Sequence, residues 1–246
     1  PYLEGKQSAY IKVGGKHQFF PKRELETIEY SIEDTYNGLY DELRQYLGRS
    51  NRQSGLVPPS ELCYARYGLG NYVLPAKRNQ ESYRSLQQAG ANLRGLIRVL
   101  LFKRLESSVY AFRATIERQI TTHQRFLNAL AQGIIPAGKD AQKLLVTVLG
   151  GDEEIELTEA IERVAGKYNI ADFDTDSLIQ DIQSDLNILI KIRTLVEPIT
   201  PERDAKLQAL KAKLVTPLLQ SKKRLIFTQY ADTARYLYDN LQAEHN

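Results

Sequence analysis

The chain has no methionine, no tryptophan and a single cysteine in 246 residues. With Cys63 alone no intramolecular disulfide can form, which sets aside the secreted disulfide scaffolds and points to a reducing compartment, the cytoplasm. Cys63 itself reads as a small buried or half-buried side chain. The absence of methionine from a chain that starts at Pro1 reads as an internal stretch of a longer protein, or as a sequence whose modified methionines have dropped out. In the second case helical spacing slips by one residue at each lost position, so short motifs carry more weight than long periodicities. No apolar run approaches the roughly 18 residues that cross a bilayer, and "PYLEGKQSAY" lacks the apolar core of a secretion signal. Neither a membrane nor export is expected.

Catalytic and metal-binding patterns are missing too. His17, His123 and His245 are far apart and lack metal-ligand spacing. "FDTDSL" sets Asp172, Asp174 and Asp176 at alternate positions, as a calcium loop begins, but no glycine follows at its sixth position. Helix N-capping by Asp174 or Thr175 is the better reading. "GIIPAGKD", Gly133 to Asp140, has the spacing of a phosphate loop and then fails, because Asp140 stands where a magnesium-holding Ser or Thr is needed. "VGGKH" is a weaker match, and no D-E-x-H box is present. No catalytic residue, metal ligand or cofactor site is assigned to this chain.

What the sequence does hold is an ordinary soluble balance, 42% hydrophobic and 26% charged, enough to bury one large core or two smaller ones. The net charge of +3 hides a strong segregation. From Arg94 to Arg125 seven basic residues face two acidic ones. From Gly151 to Leu189 eleven acidic residues face two basic ones, and from Arg203 to Arg224 seven basic residues face one acidic. A polyanion would be drawn to the first and third stretches and repelled by the second, although solvated helix faces give the same pattern.

Periodicity places the elements. Ile28, Tyr30 and Ile32 alternate with Glu29, Ser31 and Glu33, the period of a half-buried strand. Tyr36, Leu39, Tyr40, Leu43, Tyr46 and Leu47 then share a helical stripe that closes at Gly48. Residues 49–79 are rich in Gly, Pro, Ser and Asn and read as an ordered loop with room for one short strand. Helical spacing runs from about Gln80 to Ala131, as one helix or as two broken near Gly90/Gly95 or at "ESS". Further helices are expected at 139–149, 153–166 and 174–196, ended by the prolines of "EPITPERD", and again from Asp204 to Leu219. Leu225, Ile226 and Phe227 form a compact strand-like run, followed by a helix capped by Asp232 or Thr233. The expected class is mainly α: a helical body with a strand-bearing stub at each end. The strand at 224–228 needs a partner, so it should pair with residues 24–32, join another chain or fray.

The motifs add a resemblance. "KRLIFTQYADTARYL" resembles the fourth helicase motif of Swi/Snf-type DNA translocases, which opens the second RecA-like lobe of those superfamily-two ATPases. "FPKRELETIEYSIEDTYNGLYDEL" is similar to the stretch by which that family leaves its first lobe. "LRGLIRVLLFKRLESSVYAFRATIERQ" is similar to a segment of bacterial members, some of which carry a phospholipase-D-like domain, and "DAKLQALKAKL" to the helix before the second lobe. The resemblance implies that 1–48 ends the first lobe, 49–79 connects, 80–219 is a helical insertion, and 220–246 starts the second lobe. It implies double-stranded DNA as partner, with ATP and magnesium held by other parts of the parent protein and no activity in this stretch alone. Thr228, Gln229 and Tyr230 become candidates for DNA-backbone contact, with simple packing equally open for Tyr230. Arg94, Arg98, Lys103 and Arg104 become candidates for phosphate steering, Arg94 and Arg98 lying one turn apart. Arg104 with Glu106 could equally be a polar network holding two helices. The alternative from a different class is a protein-interaction module that docks a partner through the acidic 151–189 surface.

Overall fold

The computed structural model describes residues 10–19, 25–48, 60–136, 168–220 and 223–242. Most of these residues are helical, around two adjoining apolar cores. A two-stranded antiparallel hairpin, β1 (Tyr10–Val13) and β2 (Lys16–Phe19), stands at one end. Two short helices follow, α1 (Ile32–Tyr36) and α2 (Leu39–Leu47), separated where Asn37 and Gly38 take positive φ of 48° and 85°.

The long helical stretch is two helices. α3 (Glu81–Ser107) runs straight through Gly90 and Gly95, and the break falls at Ser108, whose hydroxyl accepts from the Ala111 N–H and so starts α4 (Val109–Ala131). The "ESS" boundary rather than the glycines ends the helix, because Ser108 offers an N-cap while helical glycine only weakens what it interrupts. Gly90 serves contact instead. A Cβ there would lie 2.9 Å from the Tyr67 carbonyl oxygen, and one on Gly70 would lie 2.5 Å from Gln87 Cα. These two glycines let the 65–72 loop press its backbone onto α3.

α5 (Thr175–Val196) packs along α4. Its stripe of Leu178, Ile182, Leu186, Leu189, Ile192 and Val196 meets Phe112, Ile116, Ile120, Phe126 and Leu130. Asp174 caps it by accepting from the Ser177 N–H at 3.2 Å, which settles "FDTDSL" as a helix start. α6 (Ala205–Leu214) is capped by Asp204, a short α7 (Pro217–Gln220) follows, and α8 (Ala231–Gln242) ends the described chain.

Several expectations are corrected. Residues 28–32 and 225–227 are not strands; no ladder bond involves either, and α1 already begins at Ile32. An alternating pattern becomes a strand only when a neighbour supplies the hydrogen bonds, and neither pairs with the other. Nor do Asp232 and Thr233 cap α8: they lie inside its first turn and spend their side chains elsewhere. In the 60–79 connector, short 3-10 turns at Ala65–Tyr67 and Leu69–Tyr72 and one isolated bridge, Val73 to Phe173, replace the anticipated strand. The helices expected at 139–149 and 153–166 lie outside the described residues, as does the second half of "GIIPAGKD". Among the described residues no helix is long and apolar enough to cross a membrane.

Candidate functional site: the joint at the α3–α4 break

A helix that stops leaves its last carbonyls without partners. At the end of α3 they are taken by side chains from distant parts of the chain. The Tyr36 hydroxyl donates to the Leu105 carbonyl at 3.1 Å, and Lys206 Nζ donates to the carbonyls of Glu106 and Ser107 at 2.9 and 3.1 Å. The first turn of α8 closes the same break from another side. Ser107 and Ser108 hydroxyls lie 2.8 and 3.0 Å from Thr233 Oγ1. Segments before the connector and after the helical body thus converge on one point.

Charge holds the joint. Arg104 is fully buried, and its Nη1 donates to Asp232 Oδ2 at 2.8 Å. Arg118, from α4, donates to the same oxygen at 2.8 Å. The guanidinium carbon of Arg104 also sits 4.0 Å from the centre of the Tyr230 ring, a cation–π contact in a desolvated place. Burial by itself would raise the Asp232 carboxyl, but Arg118 and Arg104 outweigh it and hold the group below the usual carboxylate range. Nearby, Tyr110 stacks flat on Tyr236 at 5.6 Å, and the Tyr236 hydroxyl donates to Asp204.

The predicted site residues divide accordingly. Arg104 lies in a polar network with Asp232 and Arg118, and Asp232 rather than Glu106 is the carboxylate it is seen to pair with. Tyr230 is buried under Arg104, only 8% exposed, and packs. Thr228 is half-buried, Gln229 exposed, and Lys103 exposed. Arg94 and Arg98 are half-buried, and the stem of Arg94 lies across Gly68. On a helix Lys103 falls about 140° around from Arg98, so it does not extend the Arg94–Arg98 track. The basic stretch is also less available than its charge suggests. Arg113 donates to the carbonyls of Val196 and Ile199 at 2.7 and 2.9 Å, closing the end of α5, and Arg118 is in the joint.

Of the acidic stretch, residues 151–167 lie outside the described residues and Asp174 and Asp176 are exposed, while three further carboxyl groups are engaged within the chain. Asp172 accepts from the Tyr83 hydroxyl at 2.7 Å and pairs with Lys77, and Asp181 accepts from the Tyr72 hydroxyl at 2.6 Å. Asp185, fully buried, accepts from the backbone N–H groups of Cys63 and Ala65 at 2.7 and 2.8 Å. Burial pushes its carboxyl up to about 6 despite those two bonds, and burial together with Asp185 pushes the Cys63 thiol up, so the thiol stays protonated. Three carboxylates therefore fasten the connector to the helical body. Asp185 was detectable in the sequence as a charge on the apolar stripe of α5; the Arg104–Asp232 pair, 128 residues apart, had no such local signal.

Beside the joint two segments without regular secondary structure, 25–31 and 223–229, contribute to a mainly apolar groove of about 250 Å³ with Ile28, Ile226, Phe227, Leu207 and Leu237 in its walls. Compared with family models, curated proteins and solved structures, the chain matches none.

Proposed function

We propose that this chain is an internal portion of an ATP-driven double-stranded DNA translocase, comprising its helical insertion and the start of its second lobe. The observation that carries this reading is the joint itself. The two stretches with the most specific resemblance, "LLFKRLESS" and "LIFTQYADTA", are brought into side-chain contact through Arg104–Asp232 and Ser108–Thr233. Two motifs that belong to one machine have a physical reason to occur together when they form one contact.

In this reading the joint is structural and the DNA contacts surround it. Thr228 and Gln229 stand at the entry to α8 with donors that suit phosphate oxygens and read no sequence. Arg94 and Arg98 lie one turn apart and track the backbone, with Lys103 adding charge from another face. ATP and magnesium are held by the parts of the parent protein that carry a phosphate loop and an acidic magnesium box, and this chain alone does not hydrolyse ATP. The second reading is docking of a protein through the acidic 151–189 surface, to which the exposed Asp174 and Asp176 would contribute, whereas Asp172, Asp181 and Asp185 are engaged within the chain. Fluorescence anisotropy with a short labelled duplex at low salt tests the proposal. Binding that is weakened in Arg94→Ala/Arg98→Ala supports it, and capture of a protein partner with no duplex binding would favour the alternative.

A further inference from the structure

The hairpin takes no part in the joint. All eight strand residues are exposed, on both faces of the ribbon. A lone two-stranded ribbon has no core to hold it. It is held here by its turn and its rings. Gly14 and Gly15 take positive φ of 57° and 79°, the requirement of the tight turn whose twist matches a hairpin, and open space surrounds both.

The register pairs Tyr10 with Phe19 and Lys12 with His17, which puts all four side chains on one face. The rings form a cluster: Tyr10 lies 4.2 Å from His17 and 5.7 Å from Phe19, centre to centre. Tyr10 is nonetheless 48% exposed and Phe19 56%. Lys12 and Lys16 are the only charged residues of the hairpin, and from Lys6 to Arg23 the sequence holds five basic residues and no acidic one. Exposed rings flanked by cations without anions match, in shape and in charge, a strand whose bases are free to stack and whose phosphates follow alongside. An apolar protein partner would explain the rings but not the unrelieved positive charge. A duplex would explain the charge but not the rings, since paired bases hide their faces.

We propose that the hairpin is a binding site for single-stranded nucleic acid, with Tyr10 and Phe19 as stacking platforms and Lys12, on the same face, on the phosphates. This site is separate from the Arg94–Arg98 face and does not depend on the translocase reading.

The test uses the full 246-residue chain and a labelled oligo-dT, read by anisotropy. Tyr10→Ala/Phe19→Ala should weaken oligo-dT binding by about tenfold or more. Lys12→Gln should lower the salt slope of that binding by about 0.7. The chain contains no tryptophan, so Tyr10→Trp installs a single reporter whose emission should be quenched by oligo-dT and much less by the corresponding duplex. Unchanged oligo-dT affinity on removal of both rings, or equal quenching by duplex and single strand, overturns the proposal.

Discussion

Asp232 carries two arginines on one carboxylate oxygen, and one of them, Arg104, has no access to water. Removing the carboxylate takes away the ion pair that Asp232 gives a buried cation, so Asp232→Ala should destabilise the fold by about 3–5 kcal/mol, measured by denaturant unfolding. Arg104→Met combined with Asp232→Ala should cost less than the sum of the two single changes, because the second removes a partner the first has already lost. Asp185 gives a pH signature of the opposite kind. Its carboxyl is raised to about 6 by burial, so the folded state holds the proton more tightly than the unfolded chain does. The stability it contributes is fully present below the ordinary Asp range and is lost as pH rises towards 6. The difference in unfolding free energy between the wild type and Asp185→Asn, which does not titrate, should therefore fall by about 2–3 kcal/mol between pH 4 and pH 6, then level off. A difference that grows with pH over that window would show the carboxylate to be favoured in its charged form.

Among the elements, the approach of the 65–72 loop to α3 depends on glycine at particular positions. Gly70→Ala would drive a Cβ to within 2.7 Å of the Gln87 backbone nitrogen, and helix backbone cannot yield as a side-chain tip can. Thermal unfolding should show a loss of about 1–3 kcal/mol. Gly95→Ala meets nothing within 4 Å and lies mid-helix, so it should gain roughly 0.5–1 kcal/mol. The contrast bears on what was legible beforehand. Helical stripes such as Leu178, Ile182 and Leu189 were readable because each residue needs only its own helix and a core. The break at Ser108 was one of the readable options, since a serine cap is local. The strands at 28–32 and 225–227 were misread because strandness belongs to a pair, and no second strand lies beside either in the described residues. Of the candidate site, Arg104 and Tyr230 were named from their motifs, but their mutual contact and their shared dependence on Asp232 are long-range facts.

Across the molecule, segments far apart in the chain meet at one helix break. Tyr36, Lys206 and Thr233 reach it from three distant segments, and α4 contributes Arg118. Such a joint fixes where α8 begins relative to the long helices, and so fixes where Gln229 and Thr228 stand relative to Arg94 and Arg98. That relation is what a DNA-backbone track would need. The most direct test is the salt dependence of duplex affinity for the wild type and for Arg94→Ala/Arg98→Ala. The account predicts low-salt binding whose logarithm falls linearly with log salt, and a slope about 1.8 smaller in the variant. No duplex binding at low salt, or an identical slope in the two proteins, would contradict it.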